Sequence, residues 1–163
     1  MNGKSFQDYY PESLQYCYGC GPKNKEGLQI RSFWDREESV AVFYPEKYHL
    51  AFPGYVYGGL LASLIDCHCI GTAAAAAYKE AGREPGTSPA FRYVTGSLHV
   101  DYLRPTPLGP PLEVRAKVEE IKGKKTVLTA TVSVEDTVTA TGRVIAVRMP
   151  ESLEPEDMAP ATP

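Results

Sequence analysis

The 163-residue sequence predicts an α+β fold in which a curled antiparallel sheet of about six strands surrounds one long central helix. Three observations carry that prediction. From Gly59 to about Ala81 runs an alanine- and leucine-rich stretch, helix-forming in composition and longer than an ordinary strand. After Arg92 the apolar period changes to two and stays there through four segments, the mark of half-buried strands. Between those segments the turns "KGKK" and "EDT" are short enough for hairpins, which makes the sheet antiparallel.

Taken in order, residues 1–26 are irregular, rich in Tyr, Gly and Pro, and expected to pack against the domain that follows, residues 27–150. "GLQIRSFWD" (Gly27–Asp35) and "SVAVFYP" (Ser39–Pro45) read as two short strands joined by the charged turn "DREE". The helix follows the glycine pair Gly58–Gly59, and Gly82 is a suitable stop. "GREPGTSPAFR" is a loop, marked by two glycines and two prolines. "VTGSLHVDYLRP" places Leu98, Val100 and Tyr102 on one face. "LEVRAKVEEI" alternates cleanly, with Leu112, Val114, Ala116 and Val118 inward. "TVLTATVSVED" and "TVTATGRVIAVRMP" complete the meander, and the proline-rich acidic tail 151–163 is expected to be disordered. A helix apolar on nearly every side must be buried all round. One sheet of this size does not cover it, so a homodimer, or a dimer of dimers, is expected.

Composition narrows the function. Hydrophobic residues make up 43% and charged residues 23%, as in a globular domain. The net charge of −3 offers no large positive field for nucleic acid or an anionic membrane. Asp66 and His68 interrupt the longest apolar run, so no membrane span is expected. The start "MNGKSFQDYYPES" lacks the basic and apolar regions of a secretory signal, which predicts a cytoplasmic chain with free thiols. Cys67 and Cys69 lie two apart on the helix and point to roughly opposite sides. They cannot close together on one ion with Cys17 and Cys20, so "CYGC" is read as a structural turn and no metal is expected. Two chains pooling their CxxC pairs is the route by which a metal would enter.

Asp66 is the candidate catalytic residue. Its neighbours Leu64, Ile65, Cys67 and Ile70 supply no countercharge, and burying an unpaired carboxylate is costly. A helix N-terminus exposes unpaired N–H groups and a partial positive charge, and Gly58 and Gly59 let a carbonyl approach that backbone closely. Asp66 lies two turns beyond Gly59 on nearly the same face. An acid near an oxyanion-binding helix start is equipment for acyl transfer.

These residues resemble a known family. The two strands, the "YGGLLASLID" helix and the meander opening "VTGSLHVDYLRPTPLG" are similar to hotdog-fold acyl-CoA thioesterases of the phenylacetate-pathway (PaaI-like) type, over roughly residues 27–149. "CYGCGPKNKEGL" resembles the lead-in of a subset of them. The resemblance implies hydrolysis of an acyl-CoA thioester to a carboxylic acid and free coenzyme A. It needs no cofactor beyond the coenzyme A of the substrate and no metal, and uses sites at a dimer interface. It places Asp66 as nucleophile or general base, and Gly59 where a backbone N–H polarises the thioester carbonyl. Thr95 stands near a hydroxyl that in relatives comes from the partner subunit, with Ser97 as the fallback along the same strand face. Tyr57, Gly58, Ser97 and Arg104 are the implied substrate-binding residues.

Two positions depart from the family pattern. Tyr57 stands where many relatives have His, and Ala51 about where some carry Asn or Gln; His49 is a candidate substitute for that polar residue if the loop is shifted, but is read as solvent-exposed. Lys122, Lys124 and Lys125, with Arg92 and Arg104, are cations within reach of a nucleotide phosphate, the three lysines being read as solvated turn residues. Tyr9, Tyr10, Tyr16 and Tyr18 are candidates either to line a pocket or to fasten the N-terminal segment, and fastening is the preferred reading. Two other functions fit the same fold: an acyl-CoA-binding module without catalysis, and an acyl dehydratase or hydratase, which the lack of a His beside the acid disfavours.

Overall fold

The structure is a computed structural model that describes residues 3–150; the expected disordered tail lies outside the described residues. Two 3-10 turns, Phe6–Tyr9 and Glu12–Leu14, lead into β1 (Ser32–Asp35) and β2 (Glu38–Phe43). A small hairpin, β3 (Leu50–Phe52) and β4 (Tyr55–Val56), precedes helix α1 (Gly58–Glu80). Then come β5 (Tyr93–Tyr102), β6 (Leu112–Lys122), β7 (Lys125–Val134) and β8 (Thr137–Arg148). The six long strands form one antiparallel sheet in the order β1-β2-β6-β7-β8-β5, and α1 lies against it. This is the six-stranded sheet packed on one long central helix that the sequence predicts.

The period-two pattern sets the sheet's inner face. Leu112, Val114 and Ala116 of β6, Leu128, Ala130 and Val132 of β7, and Ala140, Val144 and Ala146 of β8 are buried against Leu60, Leu61, Leu64, Ile65 and Cys69 of α1. Polar partners alternate outward: Arg115 pairs with Glu113 on its own strand and with Asp35 and Glu38 across β1 and β2. Helix α1 ends where a glycine can take the left-handed conformation. Gly82 (φ +60) donates to Lys79 O and Arg83 N to Tyr78 O, which satisfies the last carbonyls. At 23 residues α1 has the length and apolar composition of a bilayer-crossing helix, contrary to the expectation from its interrupted run; here most of it is buried in the domain.

The first strand is shorter than expected. Gln29 takes a positive φ of 49, and Leu28 N and Ile30 N donate to Tyr18 O and Gly19 O, so residues 27–31 pair with the cysteine loop instead of extending β1. The two sheet edges differ. β1 has four residues and is overlaid by Phe6, whose ring stands 5.1 Å from that of Trp34. β5 has ten residues, pairs among the described residues with β8 alone, and exposes Val94, Leu98 and Tyr102.

Candidate active site

Residues 66–69 of α1 read Asp-Cys-His-Cys, and each 100° step of the helix sends the side chain to a different neighbour. Asp66 faces β5, Cys67 the N-terminal cysteine loop, His68 the β1–β2 hairpin and Cys69 the core.

Asp66 is half-buried, and its Oδ1 accepts a 2.6 Å hydrogen bond from Thr95 Oγ1. The hydroxyl that the resemblance draws from a partner subunit thus reaches the acid within one chain. Ser97 does not share its face. Thr95 pairs with Ala146 and Ser97 with Ile145, so Gly96 is an extra residue, a bulge that reverses the alternation. Thr95 therefore lies on the inner face with Leu98, Val100 and Tyr102, and Ser97 turns outward. A bulge carries no signature in a period-two reading, and this one decides which hydroxyl meets the acid.

Asp66 and Thr95 border a cavity of about 610 Å³ whose other walls include Phe6, Tyr10, Ile70 and Phe91. Its lining is largely apolar, suited to an acyl or aryl group. Tyr9 and Tyr10 line it too, which favours the pocket-lining alternative over the preferred reading for these two.

The glycine pair is explained by two tyrosine rings. A Cβ on Gly59 would sit 2.7 Å from Cζ of Tyr57, and one on Gly58 would sit 3.3 Å from Cε1 of Tyr102. Tyr102 Oη also donates to Gly58 O at 2.9 Å. Tyr57 is the N-cap residue and makes no side-chain capping bond, so the first N–H groups of the helix face outward for a ligand. Gly59 opens into a second cavity of about 480 Å³, shared with Tyr57, Tyr48 and His49. His49 is half-buried there, not solvent-exposed as expected. Its Nδ1 accepts from Glu46 N at 2.9 Å, and burial holds its pKa below the usual histidine range, leaving a neutral ring with Nε2–H to donate.

Seven residues of helix separate Gly59 from Asp66, about 10 Å along the axis. An oxyanion donor and a base acting on one carbonyl must each lie about 3 Å from the reacting atoms. Within one chain they cannot, and they open into different cavities. Arg104, exposed, follows Tyr102 at the end of the sheet that holds the helix start. Arg92 and the turn Lys122–Lys125 sit at the other end of β5, where Met149 N and Arg148 N donate to Arg92 O and Lys124 O. The cations grouped from the sequence therefore divide between the two ends of a ten-residue strand.

His68 is fully buried, and the sequence gives it no role. Its Nδ1 is 2.9 Å from Ser32 Oγ and its Nε2 is 3.0 Å from Ser39 Oγ. Gln7 Nε2 donates to Ser32 Oγ, Ser39 Oγ lies 2.6 Å from Thr72 Oγ1, and Thr72 Oγ1 donates to His68 O. One assignment satisfies every proton: Gln7 to Ser32, Ser32 to Nδ1, Nε2–H to Ser39, Ser39 to Thr72, and Thr72 to the His68 carbonyl. That chain requires a neutral imidazole, and burial holds the His68 pKa down to about 4.

The third direction brings Cys67 to Cys17 and Cys20. The three Sγ atoms lie within 4.8 Å of one another, with Cys17 and Cys67 3.9 Å apart and Tyr10 Oη 3.7 Å from Cys20 Sγ. The pairing of Cys67 with Cys69 considered from the sequence is not the relevant one, because Cys67 turns to the CxxC by itself. All four cysteines are free thiols.

Comparison with known proteins agrees with this architecture. The sequence pattern of the Thioesterase superfamily matches residues 53–141. A solved thioesterase superfamily protein from Shewanella loihica is 38% identical, covers 88% of this chain and 99% of its own, and superposes with a TM-score of 0.66. The Escherichia coli PaaI protein from the phenylacetic acid degradation operon has the same fold at 19% identity, TM-score 0.61, covering 76% of this chain and 81% of its own. Among curated proteins, acyl-coenzyme A thioesterase THEM4 of Xenopus laevis is 34% identical over 101 residues, 61% of this chain. The match spans 40% of the Xenopus protein, and 43% of its rat counterpart, so less than half the length of either.

Proposed function

The chain belongs to the thioesterase superfamily, and from that membership we propose that it hydrolyses an acyl-CoA thioester to a carboxylic acid and free coenzyme A. The observation that carries the reading is the Asp66–Thr95 hydrogen bond at the wall of an apolar cavity. Similarity to the THEM4 acyl-coenzyme A thioesterases supports a coenzyme A thioester as substrate, as does a Streptococcus mutans protein of the same fold solved with acetyl CoA.

In this mechanism Asp66 either takes a proton from water as the oxygen adds to the carbonyl, or adds its own carboxylate oxygen to give a mixed anhydride that water then opens. Both routes place negative charge on the former carbonyl oxygen, release the thiolate of coenzyme A and leave the acid. Thr95 orients the carboxylate. The helix start at Gly59, with Gly58, Tyr57 and the His49 N–H around it, receives the oxyanion or the neighbouring carbonyl. Because Gly59 and Asp66 of one chain cannot share a carbonyl, the complete site joins Asp66 of one copy to the helix start of a second. The long exposed edge of β5, with Val94, Leu98 and Tyr102 open to solvent, supports such a homodimer. No cofactor enters the hydrolysis.

The test is thiol release from a panel of short, aromatic and long acyl-CoAs, with Asp66→Asn alongside. Loss of about 10³-fold in kcat/KM at unchanged melting temperature is expected. Full activity in Asp66→Asn would remove the acid from the mechanism. Saturable acyl-CoA binding with no thiol release by the parent protein would assign it instead as a binding module.

A further inference from the structure

We propose that Cys17, Cys20 and Cys67 form a zinc site that clamps the N-terminal segment to the turn of α1 bearing Asp66. Three thiols from two remote parts of the chain, fifty residues apart, converge on one point. Zinc–sulphur bonds of about 2.3 Å in a tetrahedron place neighbouring sulphurs about 3.8 Å apart. Cys17 and Cys67 stand at 3.9 Å, too far for a disulfide and at the edge length of such a tetrahedron. The fourth corner has an oxygen beside it, the Tyr10 hydroxyl 3.7 Å from Cys20 Sγ.

The loop around the CxxC is shaped for thiolates. Gly21 N donates to Cys17 O at 2.8 Å, closing a tight turn, and the backbone N–H groups of Gly19 and Cys20 point at Cys17 Sγ. Amides aimed at a sulphur are the outer support of a metal thiolate. Gly19 has no side chain for a reason: a Cβ there would collide with Cys67 Sγ. Cys20 is buried and Cys17 and Cys67 are half-buried; all three, like Asp66, border the larger cavity, which gives the ion an entry path.

Three converging thiols favour zinc over the hard cations magnesium and calcium. Binding would displace the thiol protons to solvent and fix Cys67, and with it the adjacent Asp66, relative to the cysteine loop. The site is independent of the hydrolytic reading and requires no turnover to be seen.

The full-length chain, reduced and loaded with Zn²⁺ or Co²⁺, is measured for bound metal by mass spectrometry of the elements and for cobalt–thiolate absorption. About one metal ion per chain is expected, with the bands of tetrahedral sulphur ligation. Cys17→Ser and Cys67→Ser should each lower metal affinity by at least about 100-fold, and Tyr10→Phe by about tenfold. Cys69→Ala, which removes the thiol outside the cluster, should keep full occupancy. Should the serine variants fail to fold, the cobalt spectrum of the parent chain and its chelator-sensitive melting still decide the matter. Less than about a tenth of an ion per reduced chain, equal occupancy in the double variant Cys17→Ser/Cys67→Ser, or a disulfide among the three thiols in the freshly purified protein would each overturn the site.

Discussion

Asp66 and His68 are two residues apart on one helix, yet the molecule treats them in opposite ways. His68 is sealed: every proton around it has an acceptor, the partners come from the first 3-10 turn, β1, β2 and α1, and no solvent reaches it. Asp66 is left half-open, with one hydroxyl from an edge strand and a cavity in front of it. A closed polar network holds elements together and tolerates no ligand. A half-satisfied carboxylate beside a cavity can accept a proton from something that enters. Polarity inside this core is thus of two kinds, one closed on itself and one left open to a cavity, and the state of the partners, more than residue type, separates them.

The largest way to test the comparison is to break the closed side. His68→Leu strands the hydroxyls of Ser32 and Ser39 without solvent and should cost about 2–4 kcal/mol in urea unfolding. Thiol release per folded chain should change less than about twofold, because the histidine touches no substrate. A large loss of kcat in a fully folded His68→Leu chain would erase the distinction.

The same residue should write itself into the pH dependence of stability. With a folded pKa of about 4 against an ordinary 6.5, the unfolded chain binds a proton in that interval that the folded chain refuses. Its contribution is therefore whole above pH 6.5 and is lost as pH falls toward 4, on the order of 3 kcal/mol in total. Melting curves from pH 7 to pH 4, compared with His68→Leu, should show the steeper fall in the parent protein alone.

The open side is sharpened by smaller effects. Thr95→Ala removes the charge-assisted hydrogen bond and should lower kcat/KM by about tenfold, with Thr95→Ser restoring most of it. Ser97→Ala should have an effect below about twofold, since the bulge at Gly96 turns Ser97 away. If the two alanine variants are reversed in size, the register at the bulge is not the one that operates in catalysis.

Much of this was legible in the residues. The helix, its glycine stop and the inner faces of β6, β7 and β8 follow from periodicity and propensity, which are local properties of the chain. Asp66 was legible because a lone carboxylate in an apolar run is costly wherever the run is placed. The cysteine cluster and the histidine network were not. Each joins residues 25 to 50 positions apart, and a pattern read along the chain cannot report which helix face meets which loop.

By itself, then, the sequence determined the architecture, the family to which it belongs and the acid at its centre, because hydrophobic period, caps and an isolated charge act through near neighbours. Tertiary structure alone decided what surrounds that acid. It seated Thr95 on Asp66 through one inserted residue, laid Tyr57 and Tyr102 over the glycine pair, and drew Cys67 to Cys17 and Cys20. The physical reason is the helix itself: with 100° between successive residues, four adjacent side chains are delivered to four different parts of the fold.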